Sequence, residues 1–308
     1  MDLSVLFSNL IGLFLLIGAG FFSARSGLLP AEVSKPLSAL LIRVAVPATV
    51  FRSLLRPYNP EFVKQGGTVL LLGIPLLLLF LALSKALVRV LRVPPDRRGM
   101  WRCCATFCNN GFMGFPVALA LFGEEGLSLT VILSLPITFM LYSTGVKLVC
   151  SDRGGAAAIS WSKAVLTPIN LAMAAGLAVY FTQLPLPQAL QTPIGYLADL
   201  TTPLSMIVIG MNLSQGRLSE VARDKDAFTA SAVRLILFPL IAWGLMRLIP
   251  GLNSLVLGAI LINLAMPAPA AASFIGEDYG GCTQLAARTV FLSSLLCIGT
   301  IPLIALLL

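Results

Sequence analysis

The side chains with most capacity for chemistry are three asparagines, each set among glycines or prolines inside a long apolar run. Asn109 and Asn110 open the run Asn-Asn-Gly-Phe-Met-Gly-Phe-Pro116, and Asn263 opens Asn-Leu-Ala-Met-Pro-Ala-Pro269. An amide both donates and accepts, so it can orient a carboxylate without a fixed charge that would hold it too tightly. Pro116 offers no N–H to the carbonyl of Phe112, and Gly111 and Gly114 loosen the backbone, which predicts a helix break near residues 110–114. Pro267 and Pro269 predict the same fault in the second run. A broken helix exposes the unpaired N–H groups and positive dipole end of its second half, and two such ends aimed at one volume favour an anion. The candidate binding residues are therefore Asn109, Asn110, Gly111, Gly114, Pro116, Asn263, Pro267 and Pro269. The same amides would equally serve as interhelical hydrogen bonds, worth about 0.6–2 kcal/mol.

Charge inside the apolar runs is the second signal. Arg43 and Asp199 read as the two charges well inside spans, where a central charge costs about 2.5–3.5 kcal/mol. Each stands four residues before a proline, Pro47 and Pro203. They either pair and fix helix packing, or act in gating or coupling, with Arg43 drawing in an anion and Asp199 taking a proton. Glu124, Glu125, Glu277 and Asp278 follow glycines at span ends and read as solvated. No histidine is present, which removes imidazole base chemistry and most imidazole metal sites. The six cysteines match no disulfide or zinc spacing and read as buried thiols. No nucleophile pairs with a base within the spans, so neither an enzyme nor a cofactor or metal is expected.

The elements that must position these residues are membrane helices. With 57% hydrophobic and 11% charged residues and a mean hydropathy of +0.93, the 308-residue chain lies far from soluble composition. Apolar runs between turn and charge clusters predict ten spans at about 4–23, 35–55, 67–91, 101–122, 127–149, 161–181, 191–213, 227–248, 254–275 and 284–306. Sixteen of the 21 Lys and Arg fall in the loops after odd-numbered spans, Arg234 among them as a neighbour of the seventh loop. The positive-inside rule then puts those loops in the cytoplasm and both termini outside an inner membrane. The net charge of +8 is thus topology and not a nucleic-acid surface.

Sliding the chain by 153 residues lays Asn110 on Asn263, Met113 on Met266, Pro116 on Pro269 and Gly123 on Gly276. Five spans per half is odd, so the second copy enters the membrane from the opposite face. The reading is an all-α membrane protein of two inverted five-helix repeats, residues 1–150 and 161–308 joined by a cytoplasmic connection at 151–160. This is the construction of carriers that alternate access about a central site.

Asn109-Asn-Gly-Phe-Met-Gly-Phe-Pro116 with Leu121-Phe-Gly123, Ala265-Met-Pro267 with Asp278-Tyr-Gly280, and Ala45-Val-Pro47 together resemble the auxin efflux carrier family over essentially the whole chain. The resemblance implies spans 1, 2, 6 and 7 as a scaffold (residues 1–60 and 161–215). It implies spans 3–5 and 8–10 as a transport domain (65–150 and 225–308) whose broken helices 4 and 9 cross. By motif matching it assigns substrate binding to Asn109 and Pro267, whereas the internal repeat selects Asn110. Bacterial relatives are similar to carriers of malonate, malate and other small acids, and plant ones resemble scaffold-mediated homodimers. The expected activity is secondary transport of a small organic anion at the crossing. The rivals are a sodium-coupled carrier of the bile-acid symporter type, which shares the architecture, and a passive anion channel.

Overall fold

The computed structural model describes residues 3–152, 166–215, 221 and 224–308, and every regular element among them is helical. The expected connection at 151–160, the start of the sixth span at 161, and Arg153, Lys163, Arg217 and Arg223 lie wholly or mostly outside the described residues.

Several helices begin where the sequence supplies a cap. After α1 (Leu3–Arg25) and α2 (Ser34–Ser53), the Asn59 side chain accepts the Glu61 N–H to start α3 (Pro60–Val90). Helix α4 (Arg98–Thr106) is capped from afar: the Asp152 carboxylate accepts Gly99 N–H at 2.6 Å and Met100 N–H at 3.0 Å. Helix α5 (Phe115–Met140) changes direction at Gly123, whose φ of 65° and ψ of −161° suit only a residue without Cβ. Its second arm continues through a π turn into α6 (Val146–Ser151). Thr167 caps α7 (Pro168–Thr182), and α8 (Gln188–Asp199) bends into α9 (Thr201–Gln215). Asp224 caps α10 (Lys225–Arg247), and Asn253 caps α11 (Ser254–Ala265). Helices α12 (Ala271–Tyr279) and α13 (Thr283–Ala305) complete the chain.

Among the described residues six helical stretches are long and apolar enough to cross a bilayer, so this is a multi-pass membrane protein; α7 and α11 are shorter apolar helices. Two sets of helices pack among themselves. Helix α1 lies along α9, and α2 contacts α7 and α8. Elsewhere α3 packs on α4 and α5, and α3 and α5 pack against α11, which in turn meets α10 and α13. The α1–α9 seam is a backbone approach: a Cβ on Gly20 would overlap the Ile207 carbonyl, and one on Gly210 the Ile17 carbonyl. Small residues that let helix axes close in this way are the usual adhesive between helices in lipid, where apolar burial provides no drive.

Candidate functional site

Both broken helices are present, and they meet. Helix α4 ends at Thr106 because Phe107 turns extended, at φ −92° and ψ 155°. The break falls at 107–109, three residues ahead of the expected position, while Asn110–Gly114 winds as a π turn leading into α5. Asn109 sets this boundary, since its side-chain oxygen accepts Phe112 N–H at 3.4 Å and its carbonyl accepts Gly114 N–H. Pro116 therefore sits seven residues past the Asn109 cap, where the π turn passes into α5. In the second run α11 ends at Ala265, Met266 is extended at φ −69° and ψ 152°, and α12 starts at Ala271, two residues past Pro269. The crossing is fastened by a main-chain bond: Asn109 N–H donates to the Pro267 carbonyl at 2.9 Å.

Around that bond the amides form one buried cluster. Asn263 is fully buried, and its Nδ2 donates to the Thr130 carbonyl at 3.2 Å. The Cys108 thiol donates to Asn110 Oδ1 at 2.8 Å and lies 3.8 Å from Asn263 Oδ1. The Asn110 Nδ2 is buried without a partner. Such a donor in a dry site costs about 1–3 kcal/mol, so it is held ready for an acceptor.

Two cavities flank the crossing. The first, about 220 Å³, is bordered by Asn109, Asn110, Gly111 and Phe112 from the start of one second-half helix and by Pro269, Ala270 and Ala271 from the start of the other. Ile42 and Val46 of α2, Tyr142 and Phe274 close its apolar sides. The second, about 270 Å³, is lined by Phe115, Pro116, Thr49, Arg52, Asp199 and Thr201. The structure thus brings Asn109, Asn110, Gly111 and Pro269 to one cavity and Pro116 to the other. Gly114, Asn263 and Pro267 lie in the packed layer between helices and line neither.

Charges are arranged differently from the sequence expectation. Arg43 is exposed on α2 and does not meet Asp199. The Asp199 carboxylate instead accepts from Arg52 at 2.6 Å, and Arg52 also holds Glu124 at 3.0 Å. Arg56 pairs with Glu125 at 3.2 Å, so these two acids are tethered to α2 and not simply solvated. The reason is Gly123, which turns the start of the second α5 arm toward the end of α2, where Ser128 also donates to the Ser53 carbonyl at 2.7 Å. At the far end of the helices, Asp224 accepts from Arg97 at 2.7 Å and Arg288 at 2.9 Å, and Asp226 from Arg97 at 2.6 Å. Burial alone would raise the Asp224 carboxyl, but these guanidinium bonds and the Ala227 N–H outweigh it and hold it below the usual range.

The residue that sequence reasoning missed is Arg234. It is fully buried in the middle of α10, and its guanidinium donates to the carbonyls of Thr106 at 2.8 Å, Met266 at 2.9 Å and Asn263 at 3.2 Å. The signal was available: nine residues past Lys225 at ~1.5 Å each puts it ~13 Å along the helix, far inside the apolar run and not at a loop.

Among known proteins, a family profile described as membrane transport protein matches residues 5–160 and 156–305. An "Uncharacterized transporter" of Methanothermobacter thermautotrophicus is 27% identical over 300 residues, 96% of each chain. One of Methanocaldococcus jannaschii is 27% identical over 290 residues, covering 91% of each. A Rhizobium meliloti protein named "Putative malonate transporter" is 22% identical over 293 residues, 93% of this chain and 90% of its own.

Proposed function

We propose, from the premise that the chain belongs to the membrane transport protein family, the auxin efflux carrier type that its motifs resemble, that it is a secondary carrier of small organic anions. The observation that carries the proposal is the first cavity. Two helix N-termini from separate halves of the chain border it, each equivalent to about +0.5 charge, with the amides of Asn109 and Asn110 between them. An arrangement of peptide dipoles and amides holds a carboxylate firmly enough to orient it and weakly enough to release it. A volume of about 220 Å³ has room for a short mono- or dicarboxylate. The name of the Rhizobium meliloti relative makes malonate the first compound to try.

In this reading the ten spans form two inverted repeats. Helices α1, α2 and α7–α9 are the scaffold, which in the family resemblance also forms a homodimer, and α3–α6 with α10–α13 are the transport domain. The packing of each set chiefly within itself supports that division. The termini and the 270 Å³ cavity face outward, the Asn110 cavity faces the cytoplasm, and rigid motion of the transport domain past the scaffold exposes the crossing alternately.

Purified protein in liposomes should show saturable counterflow of labelled malonate, which also separates a carrier from a passive channel. Asn110→Ala and Asn109→Ala should each abolish that flux while melting within a few degrees of the parent. Undiminished flux in both variants would remove the site assignment.

A further inference from the structure

Three carbonyls at the crossing lack the N–H four residues on that a continuous helix would supply, and the Asn263 carbonyl keeps only a long bond of 3.4 Å from the Met266 N–H. The Asn263 carbonyl would pair with the N–H of residue 267, which is proline. Those of Thr106 and Met266 belong to segments that leave the helix immediately afterwards. All three point at one place, and the Arg234 guanidinium fills it with one nitrogen for each oxygen. Among the described residues no carboxylate pairs with Arg234, so its charge is balanced by main-chain dipoles. The arithmetic closes: two helix C-termini carry about −0.5 each, and one guanidinium carries +1. Unwound carbonyls and half-helix C-terminal ends are also the oxygen set with which carriers of this construction hold a coupling sodium ion.

We propose that Arg234 is a resident cation standing where a coupling sodium ion would bind: it locks the α4 and α11 ends together and makes the protein indifferent to sodium. The inference deepens the carrier reading and rests on it for the word coupling; the clamp itself rests only on the geometry. Arg234 is a positioning residue, since it lines neither cavity and acts through the backbone that presents Asn109 and Asn110.

The test is thermal unfolding of the full purified chain in detergent, in sodium chloride or choline chloride of equal strength, with and without millimolar methylguanidinium. The parent should melt identically in both salts and ignore methylguanidinium. Arg234→Ala, which leaves the Thr106 and Met266 carbonyls unmatched and the Asn263 carbonyl with only its long Met266 bond, should melt lower by on the order of 10 °C. Methylguanidinium, but not choline, should restore at least half of that loss by reoccupying the vacated position. Arg234→Lys keeps the charge but not the three-way fork and should fall between. Sodium stabilisation of the parent, an Arg234→Ala that melts like the parent, or a loss that methylguanidinium does not repair would overturn the proposal. Should Arg234→Ala not fold, the parent's sodium response and the Lys variant decide, and a Lys variant indistinguishable from the parent also counts against it. Unfolding needs no substrate, so cation rescue without organic-anion flux removes the carrier reading and leaves the clamp standing, while flux without rescue does the reverse.

Discussion

Replacing Glu124 and Glu125 together by glutamine should open the 270 Å³ cavity more often. The two carboxylates bind Arg52 and Arg56, joining the second α5 arm to the end of α2, and they are 52% and 63% exposed. Pairs so accessible to water contribute about 0.2–1 kcal/mol each. Two of them make a combined bias of about 1 kcal/mol, or roughly a five-fold shift in the ratio of closed to open conformers. The Ser128 to Ser53 hydrogen bond remains, so the shift is partial. A cysteine at Leu119, which lines that cavity, reports the opening through its rate of reaction with a membrane-impermeant maleimide. Cys282 is replaced by serine beforehand, because the other five native thiols are buried. The labelling rate should rise about five-fold at low salt, and the difference should shrink at high salt as the parent pairs are screened. An unchanged or slower rate would mean that these ion pairs do not hold the α5 arm against α2.

Three further outcomes follow from the packing and charge. Gly210→Ala sets a methyl group against the Ile17 carbonyl and should lower the melting temperature by several degrees, whereas Gly12→Ala and Gly18→Ala on α1 meet nothing within 4 Å and should be neutral or slightly stabilising. Asp224→Asn breaks a buried contact with two arginines, costing about 3 kcal/mol and on the order of 5–10 °C in melting at neutral pH. Because the Asp224 carboxyl is held below its ordinary value, its contribution is present above about pH 4 and is lost as the pH falls through the depressed value. The melting gap between parent and Asp224→Asn should accordingly narrow in acid, and a gap independent of pH would contradict the assignment. In native membranes or mild detergent, only Cys282 should react rapidly with maleimide, read by mass spectrometry of the labelled peptide.

The helix breaks were legible because they are written in local chemistry: proline removes a donor and asparagine caps, whatever surrounds them. The exact break at 107–109 was not, because the Asn109 side chain, and not Pro116, decides where the new helix starts. Pairing of charges was the least legible layer. Arg43 and Asp199 occupy matching positions four residues before a proline, yet which neighbour Asp199 meets depends on helix rotation, and that favours Arg52. Arg234 was misjudged for a simpler reason. Assigning each cation to its nearest loop hides any cation that has a reason to be deep, and distance along the helix would have singled it out.

The single main-chain bond from Asn109 to Pro267 ties chain segments more than 150 residues apart into one knot, so neither strand of the crossing can slide without dragging the other. In the proposed carrier, cargo resting beside it would ride on an undivided cradle. Its journey would be a displacement of the whole cradle against its frame, with a grip on the passenger that keeps its shape on the way.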